Sequence, residues 1–164
     1  MIILVEGNEG TGKTTLINEI SKRLHCVTVK YPKEVKGTFM MLYYFARSNT
    51  TFLLDRGFVS DIVYRMWDKK EGQMSLYQVG KLLGENENNI AIIFCHNRHS
   101  FINAKNRGED YIVNENDHNQ IERNFEAVEA ILKQFTNVEI YDYDYEYQNI
   151  NDIMTFIMGE NYVD

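Results

Sequence analysis

Gly7-Asn8-Glu9-Gly10-Thr11-Gly12-Lys13-Thr14 fills every fixed position of the spacing G-x-x-x-x-G-K-[ST]. A glycine-rich turn lets successive backbone N–H groups point at phosphate oxygens, and a helix that follows it adds the positive end of its dipole. Lys13 is then expected to reach the β- and γ-phosphates of a nucleoside triphosphate, and the Thr14 hydroxyl to ligate Mg2+. Ile2, Ile3, Leu4 and Val5 precede the loop, and Leu16, Ile17, Ile20 and Leu24 follow it at helical spacing. The loop therefore lies between a strand and a helix, as phosphate binding requires.

Three further groups of residues could act on such a ligand. Asp55-Arg56-Gly57 follows the apolar run Thr51–Leu54. Its carboxylate suits a Mg2+-bound water and its guanidinium suits a phosphate or sugar oxygen. Tyr31-Pro32-Lys33-Glu34 holds the only proline of the chain, which forces an extended or turning path. Glu34 there is a candidate catalytic or substrate-binding carboxylate, with a solvated loop glutamate as the equal alternative. The third group starts at His96-Asn97-Arg98-His99, continues through Lys105, Arg107, Gly108, Glu109 and Asp110, and ends near His118. It reads as a lid over approximately 98–118, whose Lys105 and Arg107 would bring cations to a migrating phosphoryl group. His96 and His99 have the spacing of a metal pair but no third ligand, so packed or exposed roles are expected. Tyr31, Phe39, Tyr43 and Tyr44 could stack on a nucleobase, although most are expected in the core.

The elements that must hold these residues are legible as short apolar runs separated by helical patterns. Strands are expected at Met1–Glu6, Val27–Tyr31, Thr51–Leu54, Ile90–Cys95 and Val138–Tyr143. Near-continuous hydrophobicity, as in Ile90–Phe94, is what a parallel sheet covered on both faces requires. Helices are expected at Lys13–Leu24, Thr38–Arg47, Val59–Lys69, Leu76–Gly84, Asn116–Gln134 and Asn149–Met158, with Gly72, Gly84 and Asn86–Asn89 as breaks. Ligands of such a sheet bind beyond the carboxyl ends of its strands. The 164 residues, 44% of them hydrophobic, fit one domain spanning 1–164.

A formal net charge of -7 argues against broad attachment to nucleic acid or anionic membrane. Cys26 and Cys95 are far apart and suggest reduced thiols rather than a disulfide or zinc site. No apolar run approaches the roughly 20 residues of a membrane span, and a cytoplasmic protein is expected. Its partners would be small molecules, and a homodimer through an exposed helical face is plausible.

Glu6–Thr15, Tyr31-Pro32, Asp55-Arg56-Gly57 with Ser60, and Arg107-Gly108-Glu109-Asp110 together resemble the thymidylate kinase and deoxynucleoside kinase superfamily. The resemblance covers most of the chain and implies an α/β, three-layer P-loop NTPase fold, with a five-stranded parallel sheet flanked by helices and a short lid. It implies transfer of the γ-phosphoryl group of ATP, with Mg2+, to a nucleoside or nucleotide. The phosphate loop would contribute Asn8, Glu9, Gly10, Thr11, Gly12, Lys13, Thr14 and Thr15. Asp55 would act near the metal or acceptor, Arg56 on the acceptor, and Arg107 from the lid.

The thymidylate kinase branch carries an arginine before the third strand that holds the acceptor phosphate, a place only Arg47 could fill. The nucleoside kinase branch uses a glutamate after the second strand as base, a place Glu34 could fill. A monophosphate is already anionic at neutral pH and needs no base, whereas a sugar hydroxyl does. The leading expectation is a deoxynucleoside monophosphate kinase, thymidylate-like, narrowly ahead of a deoxynucleoside kinase acting on the 5′-hydroxyl. A polynucleotide 5′-kinase and a regulatory P-loop ATPase are the alternatives of another class. The first calls for a basic channel, and the second for an Arg56 that can be dispensed with.

Overall fold

A computed structural model of the chain describes residues 1–31, 37–69, 74–108 and 114–159, apart from the side chain of residue 135. Pro32, Glu34, Glu109 and Asp110 lie outside the described residues, and with them the candidate base and the middle of the expected lid. Five strands, β1 (Ile2–Glu6), β2 (Val27–Lys30), β3 (Phe52–Asp55), β4 (Ile90–His96) and β5 (Glu139–Asp144), form one sheet in the order β2-β3-β1-β4-β5. Every pairing is parallel. β1 is central and buried along its whole length, which is why its sequence shows no polar alternation before Glu6. β2 is an edge strand, and Val27 is 48% exposed there.

Successive residues of β1 feed opposite layers, as strand geometry demands. Ile3 and Val5 pack with α1 (Lys13–Arg23) and α7 (Ile150–Met158), through Leu16, Ile20, Ile153 and Met154. Ile2 and Leu4 pack on the other side with α2 (Thr38–Ala46), α3 (Phe58–Asp68), α4 (Leu76–Asn86) and α6 (Glu115–Phe135), through Leu42, Phe58, Leu82 and Phe125. The chain leaves β1 toward β2 and β3 on one side, and later adds β4 and β5 on the other. The crevice where these directions part opens at the carboxyl end of β1, where the glycine-rich loop begins.

Two elements depart from the sequence expectation. α4 runs through Gly84 to Asn86. Its start is fixed by a capping box between Ser75 and Gln78, and its end is held by buried Leu82, Leu83 and Asn86. Tertiary packing outweighs the roughly 1 kcal/mol that a helical glycine costs. A further helix, α5 (Ser100–Asn106), occupies the first part of the segment read as a lid. Both cysteines are unpaired thiols. No helix among the described residues is long and apolar enough to cross a membrane.

Candidate active site

The glycine-rich loop turns back under the strand ends, and its glycines are required by contact as well as by conformation. A Cβ on Gly7 (φ +137°) would lie 2.4 Å from the Cys95 carbonyl oxygen, and one on Gly10 (φ +77°) 2.0 Å from the Ser100 carbonyl oxygen. The loop is closed by its own polar groups. Thr11 Oγ1 donates to the Asn8 carbonyl at 2.8 Å, the Glu9 amide donates to Asn8 Oδ1 at 2.8 Å, and Lys13 Nζ donates to the same Asn8 carbonyl. Lys13 is 7% exposed. Burial, then the Arg56 cation, lower its ammonium from the usual lysine range to about 7. A polyanion placed against it would favour its charged form. Thr14 and Thr15 stand exposed in the first turn of α1, where amides and dipole favour phosphate.

Residues on both sides of the middle of the segment expected to form a lid are bonded to this loop. Asn103 of α5 donates to the Gly10 carbonyl at 3.3 Å and to the Tyr145 hydroxyl at 3.2 Å. In α6, His118 offers its carbonyl to Asn8 Nδ2 at 3.0 Å, and its Nε2 lies 3.3 Å from the Glu9 carbonyl oxygen. Neither Asn103 nor His118 carries a signal as a contact of the loop in the sequence, because an amide and an imidazole at those positions belong to no motif. Arg107 caps the C-terminus of α5 with an exposed side chain.

Across the crevice, Asp55 ends β3 in register with Val5 of β1, and its charge acts on Lys13. Arg56 follows in the left-handed region (φ +68°), an uncommon backbone for a long side chain and one that clusters at functional sites. Its Nη1 donates to the Gly7 carbonyl at 3.2 Å and lies 3.4 Å from Ser60 Oγ. Its Nη2 lies 3.9 Å from Glu9 Oε1, and its guanidinium sits 5.2 Å from the centre of the Tyr64 ring. The two cations singled out by spacing therefore meet beside the loop, with Asp55 and Glu9 facing them.

A residue with no candidate role in the sequence completes this group. Glu6, the last residue of β1, is fully buried. Its Oε2 accepts from Ser60 Oγ at 2.5 Å and from the Ser60 amide at 3.2 Å. Its Oε1 is buried and accepts from no described residue. Burial raises this carboxyl to about 7, against the opposing pull of the Ser60 bond and of Arg56 and Lys13. The Tyr31 hydroxyl at the end of β2 is likewise buried and unbonded among the described residues.

Other candidates fall elsewhere. Arg47 caps the C-terminus of α2, reaches Asn86 Oδ1 at 3.2 Å and Glu85 at 3.3 Å, and stacks 4.1 Å over the Tyr43 ring. These contacts place it near the start of β4, at the sheet edge opposite the loop. His96 and His99 part company. His99 caps α5, while His96 faces Glu129 at 3.1 Å and Glu122 at 3.9 Å. His96, Glu129 and Asp142 bring ligand-type atoms within 4.8 Å of one another. The Lys133 ammonium already bridges the two carboxylates at 2.6 Å each, which makes this an ion-pair network. Tyr31 is 9% exposed and belongs to the core, whereas Tyr44 is 74% exposed.

No family model matches the chain, and no curated relative does either. Solved structures do. The YorR protein of Bacillus subtilis, crystallised in complex with phosphorylated GDP, superposes with a TM-score of 0.75 at 19% identity, over 96% of this chain and 94% of that one. Deoxyadenosine kinase from M. mycoides with bound dCTP gives 0.64 at 20% identity, over 96% and 99%. The same enzyme with bound dATP gives 0.63 at 18%, over 97% and 100%. Together with the parallel five-stranded sheet and the loop that follows β1, these likenesses show that the chain has the three-layer α/β fold of the P-loop kinases.

Proposed function

We propose that this protein is a kinase of nucleotide metabolism that transfers the γ-phosphoryl group of ATP to the sugar hydroxyl of a deoxynucleoside. The observation that carries the phosphotransfer is the meeting of two cations beside the loop. Lys13 is buried within it, and Arg56 is bonded to its Gly7 carbonyl from the neighbouring strand end. Phosphoryl transfer asks little covalent chemistry of a protein and much positioning of charge around the migrating group. The loop amides and the N-terminus of α1 orient the triphosphate. Lys13 neutralises the charge that develops on the leaving side, and Arg56 faces the acceptor side.

Thr14 and Asp55 supply oxygen donors, one hydroxyl and one carboxylate, at adjoining strand and helix ends. That donor chemistry suits Mg2+, which they would hold and which would draw charge from the phosphate oxygens. Arg107 would close from the lid side. Glu34, which follows β2, would take the proton of the sugar hydroxyl as that oxygen bonds to phosphorus.

The nucleoside is favoured over the monophosphate because Arg47 is held against Glu85 and Tyr43 at the far edge of the sheet. The solved deoxyadenosine kinases support the same choice. A monophosphate acceptor is the second reading, with Arg56 rather than Arg47 as the phosphate ligand. It draws on the phosphorylated nucleotide bound by the YorR protein. Substitution separates the two. Glu34→Gln should lower kcat at least tenfold with a nucleoside, and Arg47→Ala should leave kcat and KM within about twofold. Activity confined to monophosphates and insensitive to Glu34→Gln would reject the nucleoside.

A further inference from the structure

Glu6 is an expensive residue to bury. A carboxylate removed from water needs partners, and an oxygen left without one is destabilising. Glu6 is 0% exposed, and only one of its oxygens is hydrogen-bonded by described residues. Its surroundings explain what the cost secures. α3 has no side-chain cap of its own, since Gly57 stands at its N-cap. The Glu6 carboxylate instead reaches from β1 and accepts the amide and hydroxyl of Ser60 in the first turn. It thereby supplies both a capping acceptor and a negative charge at the positive end of the helix.

Because Ser60 Oγ spends its proton on Glu6, its lone pairs face Arg56 Nη1 at 3.4 Å. One residue thus ties together the strand that launches the phosphate loop, the helix that follows Asp55-Arg56-Gly57, and the cation between them. The glycine of that turn belongs to the same arrangement. A Cβ at position 57 would lie 3.0 Å from Glu6 Oε1 and 2.4 Å from Leu4 Cδ2. The groups that feel the Glu6 charge include Tyr31 just after β2, Arg56 of the turn, Tyr64 of α3 and Cys95 of β4, while Lys13 of α1 acts on Glu6 in turn.

We propose that Glu6 is a positioning residue: acting through Ser60 and the first turn of α3, its carboxylate fixes the Arg56 guanidinium beside the phosphate loop, in the orientation that phosphoryl transfer uses. The inference rests on the kinase reading for its kinetic consequence but not for its geometry, so two readouts are needed.

The first is steady-state kinetics of Glu6→Gln at pH 8, where the wild-type carboxyl is largely ionised, so that the substitution keeps the shape and removes the charge. kcat should fall about 10- to 100-fold, the scale of a misplacement near 1 Å, while the Kd of Mg-ATP stays within about twofold. Ser60→Ala should fall by a similar factor, and the double variant should be no worse than Glu6→Gln alone, because both act along one path. The second readout is the 15N–1H signal of Arg56 Nε, assigned through Arg56→Lys. It should shift or broaden in Glu6→Gln and in Ser60→Ala. Wild-type kcat in Glu6→Gln, or additive losses in the double variant, would overturn the proposal. If the wild type phosphorylates no nucleoside or nucleotide, the kinase reading fails and the Arg56 signal alone decides: a moved signal supports the positioning role and an unmoved one rejects it. If Glu6→Gln does not fold, Ser60→Ala decides in its place: a lowered kcat and a moved Arg56 signal support the positioning role, and wild-type values of both reject it.

Discussion

Mg-ATP should bind this protein with uptake of a proton, and Lys13 should be the group that takes it. Lys13 is buried to 7% exposure, and desolvation together with Arg56 brings its ammonium down to about 7. A triphosphate placed against it supplies several negative charges and restores the charged form. For a group with a pKa near 7, about a tenth of the molecules carry the proton at pH 8, about half at pH 7 and about nine-tenths at pH 6. Binding should therefore take up about 0.9 proton at pH 8, about 0.5 at pH 7 and about 0.1 at pH 6. Titration calorimetry in buffers of different ionisation enthalpy measures this directly, because the slope of observed heat against buffer enthalpy is the number of protons exchanged. The terminal phosphate of ATP releases rather than takes up protons on meeting a cation, and Lys13→Met isolates that contribution. Arg56→Ala, which removes the second cause of the shift, should reduce the uptake at pH 8. A slope that is the same in wild type and Lys13→Met at pH 8 would refute the reasoning.

Glu6 and Lys13, both buried, set a pH dependence of stability. Between 4.5 and about 7 the folded state holds the Glu6 proton and the unfolded chain does not, so stability falls as pH rises. Between about 7 and 10.5 the unfolded chain holds the Lys13 proton and the folded state does not, so stability rises with pH. Urea unfolding should thus show a minimum near pH 7 that Glu6→Gln/Lys13→Met removes, and a curve unchanged by that double substitution would reject it. His96 works in the opposite sense at alkaline pH. The Glu122 and Glu129 carboxylates raise it to about 10 from 6.5, so its contribution is complete below 6.5 and lost as pH rises through about 10. His96→Gln should cost about 1–3 kcal/mol at pH 6 by urea unfolding and much less at pH 10.5; equal costs at both pH values would contradict the ion-pair assignment. Gly57→Ala, with its methyl 2.4 Å from Leu4 Cδ2, should lower stability by about 1–3 kcal/mol and kcat as well. A variant as stable and as active as wild type would show that the turn has room.

Most of the fold is legible in the sequence because its signals are local. Ile2–Val5 has no polar residue because β1 is covered on both faces, and Ile90–Phe94 is apolar for the same reason. Asp55 and Arg56 can be placed at the ligand edge because a charged pair that ends an apolar run in a parallel sheet lies where ligands bind. What escapes depends on contacts between distant segments. Glu6 has the look of a strand's polar end, and only the approach of Ser60 from 54 residues away turns it into a cap for α3. Asn103 and His118 lie 93 and 110 residues from the loop residues they bond. Gly84 suggests a break by propensity, which ignores the burial of Leu82, Leu83 and Asn86 around it. Arg47 suits the acceptor by its position along the chain, but the end of α2 lies against Glu85 and Asn86, near the start of β4 and away from the loop.

The most direct test of the kinase assignment is ADP formation from Mg-ATP by the purified protein, measured against each deoxynucleoside, each deoxynucleoside monophosphate and a 5′-hydroxyl oligonucleotide, with every product identified by mass. Stimulation by a deoxynucleoside, with a product heavier by one phosphoryl group and loss of activity in Lys13→Ala, is the expected result. Measurable ATP binding with ADP formation that no nucleoside or nucleotide stimulates would contradict it, and would leave a nucleotide-binding protein that works without a phosphoryl acceptor from nucleotide metabolism.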